Sequence, residues 1–358
     1  MTSIRLPAEW EPQAAIWLAW PHSRDTWPGR VVSKSQASAL RSTPRFDAIP
    51  PFFARWAQLI AEDTPVRILG RRDDDASRQL GGSNIQWLDV PTNDCWIRDY
   101  GPTFVFHSDL PTADACRLQA IDWRYNAWGG KYPPWDDDDA VASRLARHLQ
   151  IPVVRNELCL EGGALETDGT GRLLTTKSCL VTPTRNPDLL TEEIERGLRE
   201  SLGLREVVWL DGGLAGDDTD GHIDQLARFI DPQNIVVAAC HDTSDENHSL
   251  LAGLGDQLVR WADQTDPQPV IHSLPIPPAR KIDGQRVPES YCNFLWLSRT
   301  RLLVPTFGHQ LSDDRALGIL RDLVAAYGTD VIGIDCRDLI WGLGALHCAS
   351  RDQPASAF

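Results

Sequence analysis

The chain has 358 residues, a hydrophobic fraction of 42%, a formal net charge of -15 and a sequence pI near 5.0. That length supports a sizeable buried core without staples, and the acidity argues against nucleic acid or an anionic membrane surface as the main partner, because both would be repelled. The same excess welcomes a cationic ligand, although it also keeps many proteins soluble.

The first twenty residues lack a basic segment followed by an apolar stretch ending in small residues, and no later run approaches bilayer length. A cytoplasmic location is expected. Helix-type periodicity runs over residues 52–62, 191–202, 249–264 and 313–327, and β-type runs fall at 66–69, 103–106, 173–180, 234–239, 294–297 and 302–305. The run Asp136 to Asp139 reads as a charged cap on a helix over 140–150. Turn residues Asp168-Gly169-Thr170-Gly171 between short apolar runs predict a hairpin. Strands alternate with helices and no low-complexity linker interrupts them, so the expected class is α/β. Cys95, Cys116, Cys159, Cys179, Cys240, Cys292, Cys336 and Cys348 form no CxxC pair or zinc-type grouping and read as reduced thiols.

Chemistry-bearing residues beside β-type runs recur at Asp99, Glu161, His222, Asn293 and Cys348, at intervals of 62, 61, 71 and 55. Such a recurrence points to duplicated supersecondary units around one central site, against the plainer reading of an α/β domain with polar strand ends. Asn93 to Pro102 carries two carboxylates, an indole and a guanidinium; its bland reading is an ion pair from Arg98 to Asp94 or Asp99 closing a turn. Glu161-Gly162-Gly163 suits a pocket rim or the start of a hairpin. In Asp217 to Asp224, an extended strand would put His222 and Asp224 on one face and Ile223 in the core. The acidic run is no calcium loop, since the twelve-residue frame from Asp218 ends on Phe229 instead of Glu. Gly342-Leu343-Gly344-Ala345-Leu346-His347-Cys348 sets a cysteine after a glycine-punctuated loop, and paired with a distant His and acids it has the general form of an activated thiol.

These segments give the chain a family resemblance. Leu6-Pro7-Ala8-Glu9-Trp10-Glu11-Pro12, Trp17-Leu18-Ala19-Trp20-Pro21-His22, Trp96-x-Arg98-Asp99-x-Gly101-Pro102, Glu161-Gly162-Gly163, Thr219-Asp220-Gly221-His222-Ile223-Asp224, Tyr291-x-Asn293-Phe294 and Gly344-x-x-His347-Cys348 resemble, in order, the motifs of the agmatine deiminases, members of the guanidine-modifying (pentein) superfamily. The resemblance implies a five-bladed α/β propeller with pseudo-fivefold symmetry, a single catalytic domain over residues 1–358 built from five ββαβ-type modules. It implies hydrolysis of agmatine to N-carbamoylputrescine and ammonia through a covalent thiouronium on Cys348. His222 would be the general acid and base, Asp99 and Asp224 would hold the guanidinium, and Glu161 would add a further carboxylate. Substrate contacts are expected from Trp96, Asp99, Asp224 and Asn293. No cofactor and no metal is implied, the partner is a small cationic guanidine, and the oligomeric state stays open. The residues flanking Cys348 depart from the family's usual Gly-Gly-Asn-Ile-His-Cys-Ile-Thr-Gln-Gln-Gln-Pro. Arg98 or Arg351 could therefore still receive a carboxylate, keeping free or peptidyl arginine as substrates. An amidino transferase, a metal-dependent hydrolase using His222 and Asp224, and a non-catalytic acidic binding module are the other readings.

Overall fold

In the computed structural model, described for residues 3–34, 40–110 and 117–355, five sheets share one strand order. Each joins a strand antiparallel to its neighbour, which then pairs in parallel with a strand reached across a helix. Arg172–Thr176, Asn234–Ala239 and Arg301–Thr306 are the middle strands of three sheets. They pair antiparallel with Glu166–Thr167, Ala227–Asp231 and Leu295–Leu297, and parallel with Glu206–Leu210, Val270–Pro275 and Asp330–Asp335. Thr103–His107, Leu118–Arg124 and Val153–Cys159 repeat the pattern, with Ile4–Arg5 added at the edge. In the remaining sheet the antiparallel partner of Gln13–Ala19 is Ser350–Pro354, so the two ends of the chain close one sheet.

The crossover helices are amphipathic for the usual reason. In Thr191–Leu202, residues Ile194, Leu198 and Leu202 recur at four-residue spacing and are fully buried, each contributing about 2 kcal/mol of apolar burial. Glu193 accepts the Leu190 N–H at the helix start, at 2.9 Å. Gly203 ends it at φ +69°, where a Cβ would lie 1.9 Å from Ile4 O. The helices expected at 52–62, 249–264 and 313–327 are Ile49–Ile60, Asn247–Ala262 and Gln310–Val324, the last extended by a 3-10 turn at Ala325–Tyr327.

Three local expectations change. The run 173–180 is the strand Arg172–Thr176 followed by a helical turn, Lys177–Leu180. Cys179 and Leu180 are as buried as the strand before them, and a short apolar run does not reveal which backbone it adopts. Asp136–Asp139 itself forms a helical turn ahead of Val141–Leu149. His222 and Asp224 are not on a strand: Ile223–Gln225 is a 3-10 turn, although Ile223 does enter the core. Among the described residues no helix is long and apolar enough to cross a membrane. The described cysteines are free thiols, and Cys116 lies outside the described residues.

Candidate active site

Cys348 is buried at the entrance to the closing strand Ser350–Pro354, after a 3-10 turn, Leu339–Gly342, and a left-handed Leu343 at φ +69°. Its Sγ receives the Asn293 side-chain amide at 3.1 Å and lies 3.7 Å from Asp224 Oδ2. Asn293 Oδ1 accepts the backbone N–H groups of His347 and Cys348, so one side chain fixes both the thiol and its loop.

His222 sits between carboxylates, with Nδ1 3.7 Å from Asp99 Oδ1 and Nε2 3.6 Å from Glu161 Oε2. Among the described residues neither ring nitrogen has a hydrogen-bond partner. Asp99, on the short helix Ile97–Tyr100, accepts Gly163 N–H and Trp128 Nε1–H, both at 2.9 Å. Asp224 Oδ2 is held by His347 Nδ1 at 2.7 Å, while Oδ1 is a buried acceptor without a hydrogen-bond partner among the described residues. Both oxygens of Glu161 receive Arg185 Nε, at 2.8 and 2.9 Å, and Arg185 continues to Asp220 Oδ2 and Thr219 O. The sequence thus named six residues that converge: Asp99, Glu161, His222 and Asp224 around one point, with Asn293 clasping Cys348.

Charge follows from this geometry. Burial by itself would lower the His222 pKa, but Asp99, Cys179 and Glu161 outweigh it and hold the imidazolium well above its ordinary range. Burial, with Asp224 and Glu161 nearby, raises Asp99 to about 6 against the opposing pull of His222. Glu161 stays below the usual range because Arg185 and His222 overcome its burial, and Asp224 does so through His347 and His222. Burial and then the charges of Asp224 and Asp99 push the Cys348 thiol well up, so the free site holds a thiol. With Glu161 neutralised by Arg185, two carboxylates face one imidazolium, and a single positive charge on a ligand balances the set.

Gly162 and Gly163 form a buried 3-10 turn pressed against the site, just ahead of the hairpin strand Glu166–Thr167. A Cβ on Gly163 would lie 2.5 Å from His222 Nδ1 and 2.9 Å from Asp99 Oδ1, and one on Gly162 would lie 2.0 Å from Arg98 O. Gly163→Ala is therefore expected to cost at least about 1–3 kcal/mol and to displace the imidazole. Thermal denaturation beside an activity assay checks this, and a variant with unchanged midpoint and rate would refute it. Gly342 and Gly344 serve the other wall: a Cβ on Gly344 would lie 2.5 Å from the Trp96 ring.

A cavity of about 660 Å³ reaches Cys348 and Asp99 and is walled by Trp96, Tyr125, Trp128, Tyr132 and Trp341. Its carboxyl lining is Asp25, Asp94, Asp99, Asp138 and Asp218, with burial raising the pKa of Asp94 and Asp218 and pushing that of Asp138 well up, and Lys131 beside them has its ammonium already engaged by Asp218 O and Asp220. Arg98 and Arg351 do not line it: Arg98 pairs with Glu9 and Asp352, not with Asp94 or Asp99, and Arg351 donates to Pro102 O. A wider cleft of about 850 Å³ beside Arg172, Arg205 and Arg299 has its partners spent locally, Arg172 on Asp168 and Tyr327 on Asp231.

Glu161, Cys179 and His222 offer oxygen, sulfur and nitrogen within 4.8 Å of one another. The donor set suits zinc, but Arg185 covers both Glu161 oxygens and puts a guanidinium against the place a dication would take. The described donors that gather include His222 without Asp224, unlike the metal pair considered from sequence. Sequence reasoning passed over Arg185, Trp128 and Cys179, and saw His347 only as a motif letter. The one signal for Arg185 is its place in the proline-bounded turn Thr182-Pro183-Thr184-Arg185-Asn186-Pro187.

Known proteins resemble the chain over its length. A Legionella pneumophila protein named "putative agmatine deiminase" is 33% identical over 353 residues, covering 98% of this chain and 95% of that protein. The structure of an Enterococcus faecalis agmatine deiminase superposes with a TM-score of 0.86 at 26% identity, covering 99% of this chain and 97% of the other. A Campylobacter jejuni agmatine deiminase variant with substrate bound gives 0.84 at 28% identity, with the same coverage. The class they define is that of agmatine deiminase-like hydrolases of amidine C–N bonds, and this chain is an enzyme of that class. Residues 5–354 match the pattern of the Porphyromonas-type peptidyl-arginine deiminases, and the chain belongs to that family.

Proposed function

We propose that the chain deiminates agmatine, giving N-carbamoylputrescine and ammonia through a covalent Cys348 thiouronium. The observation that carries this reading is the cavity. It leads to the buried thiol past aromatic walls and carboxyl groups, and Lys131, the one Lys or Arg among the described residues that line it, is already paired. An alkylguanidine with a distal ammonium meets favourable charge at both ends there, whereas the α-carboxylate of arginine meets repulsion.

In the proposed course, Asp99 and Asp224 hold the guanidinium by charge-assisted hydrogen bonds, with Asp224 Oδ1 gaining the partner it lacks. The bound cation lowers the Cys348 pKa, and Sγ forms a bond to the guanidinium carbon. One C–N bond breaks; the departing nitrogen takes the thiol proton and one from His222 and leaves as ammonium. Neutral His222 then takes a proton from water as its oxygen bonds to the same carbon, the C–S bond breaks, and the urea product departs with thiol and imidazolium restored. Glu161 keeps His222 cationic at the start. Trp96 packs along the alkyl chain, and Asn293 acts through the sulfur it holds.

We also propose that the five sheets form five ββαβ modules of one catalytic domain, arranged as a five-bladed propeller around this site, and that the enzyme works in the cytoplasm. Ammonia release from agmatine, free arginine and an arginine-containing peptide tests the substrate, with and without chelator. Agmatine is expected to exceed the other two by about 100-fold or more in kcat/KM, the discrimination that an unpaired buried carboxylate supplies, and to ignore chelator. Equal rates on arginine would sink the assignment.

A further inference from the structure

We infer that His347 is a positioning residue: its Nδ1–H fixes Asp224 Oδ2 and so presents Oδ1 to the guanidinium. This rests on the deimination reading for its kinetic consequence, but its structural basis is separate. His347 is 2% exposed and packed among charges. Nδ1 lies 2.7 Å from Asp224 Oδ2, and Nε2 lies 3.3 Å from Glu9 Oε1. Glu9 does not need the imidazole proton, because Arg98 Nη2 reaches Glu9 Oε1 at 3.0 Å and Arg228 Nη2 takes Oε2. Asp224 Oδ2, in contrast, is otherwise approached, among the hydrogen-bond donors of the described residues, by the Cys348 thiol at 3.7 Å.

Burial, then Arg228 and Arg98, hold the His347 pKa well below its ordinary value, so the ring is neutral and carries one proton. A neutral imidazole donates from one nitrogen and accepts at the other. The proton belongs on Nδ1, where a carboxylate short of donors faces it. Arg98 further fixes the residue by donating Nε to His347 O at 3.2 Å, and Arg228 is tied to Glu166. The opening Leu6–Pro12 motif thus acts on the site through Glu9, which locks two guanidinium groups behind the imidazole. Asp224 is left with one satisfied oxygen and one free for substrate.

The amide of asparagine reproduces a donor at the Nδ1 position, and that of glutamine reproduces one near Nε2. His347→Asn is therefore expected to keep kcat/KM for agmatine within about threefold. His347→Gln and His347→Ala are expected to lose about 10- to 100-fold, the cost of a hydrogen bond to a charged group, mainly through KM. Equal loss in the Asn and Gln variants, or none in the Ala variant, would overturn the proposal. Imidazole ¹⁵N shifts of the wild-type enzyme, assigned by the signal missing in His347→Asn, give a readout independent of turnover. A neutral Nδ1–H tautomer at pH 7 is expected; an imidazolium or an Nε2–H tautomer overturns the inference even if the variants fail to fold. A protein inactive on agmatine that still shows the Nδ1–H signature would sink the deimination reading and support this one.

Discussion

Cys348→Ala is expected to lower ammonia release from agmatine by about 10⁴- to 10⁶-fold, the range found when a nucleophile is removed from a site whose groups act as a unit. Among the described residues a sulfur beside His222 is that of Cys179, which lies on the Glu161 side, and burial raises its pKa too. The substitution removes one buried sulfur and leaves the Asn293 amide without its partner, at a cost of about 1–3 kcal/mol, so the fold should survive. Far-UV circular dichroism confirms folding and an ammonia assay reads activity. Residual turnover within tenfold of wild type would return Cys348 to the role of a core residue. Because the free thiol is held well above its ordinary pKa, iodoacetamide should modify Cys348 slowly at pH 7 in the intact enzyme.

His222→Gln is the second large effect, about 10²- to 10⁴-fold on kcat, as expected for loss of a general acid and base. KM should change far less, since the guanidinium is held by Asp99 and Asp224. The pH dependence separates the groups. Asp99 titrates at about 6, so kcat/KM should fall as pH drops through that value and the carboxylate takes a proton. His222 is cationic across neutral pH, so its basic limb lies well above the ordinary histidine range. For stability the signs differ from the usual carboxylate case. The raised Asp99 pKa makes its ionisation unfavourable to the fold, so acidification from above 6 towards 4 relieves a cost. The His222 contribution is present below the ordinary histidine pKa and is lost as pH rises through the elevated folded value. A kcat/KM profile flat from pH 5 to 9 would contradict this arrangement of charges.

Much of this is legible in the sequence, and particular residues show why. The four-residue spacing of Ile194, Leu198 and Leu202 defines a helix because burial demands one face, and that helix runs over the residues expected. Asp99, Glu161, His222, Asn293 and Cys348 stood out as chemical residues beside apolar runs, and the structure brings them together. His222 and Asp224 were expected side by side for the wrong reason. A strand would place them on one face by alternation; the 3-10 turn Ile223–Gln225 brings both close to Gly163 instead. Gly163 itself was ambiguous because what forbids its side chain, the His222 ring and Asp99, is distant in sequence.

By itself the sequence determined the long crossover helices, since these follow from periodicity over several turns, and which side chains are able to do the chemistry, since that is a property of residue type; short runs such as 177–180 and 223–225 took their backbone from tertiary packing. It also determined the acidity that suits a cationic ligand. Only the tertiary structure decided what each charge is spent on. Arg98 and Arg351 are turned inward, Arg185 neutralises Glu161 from a separate turn, Trp128 ties down Asp99, and Glu9 reaches from the N-terminus to the far side of His347. Electrostatic roles depend on distance and burial, both are set by contacts between residues tens to hundreds of positions apart, and no local pattern encodes them.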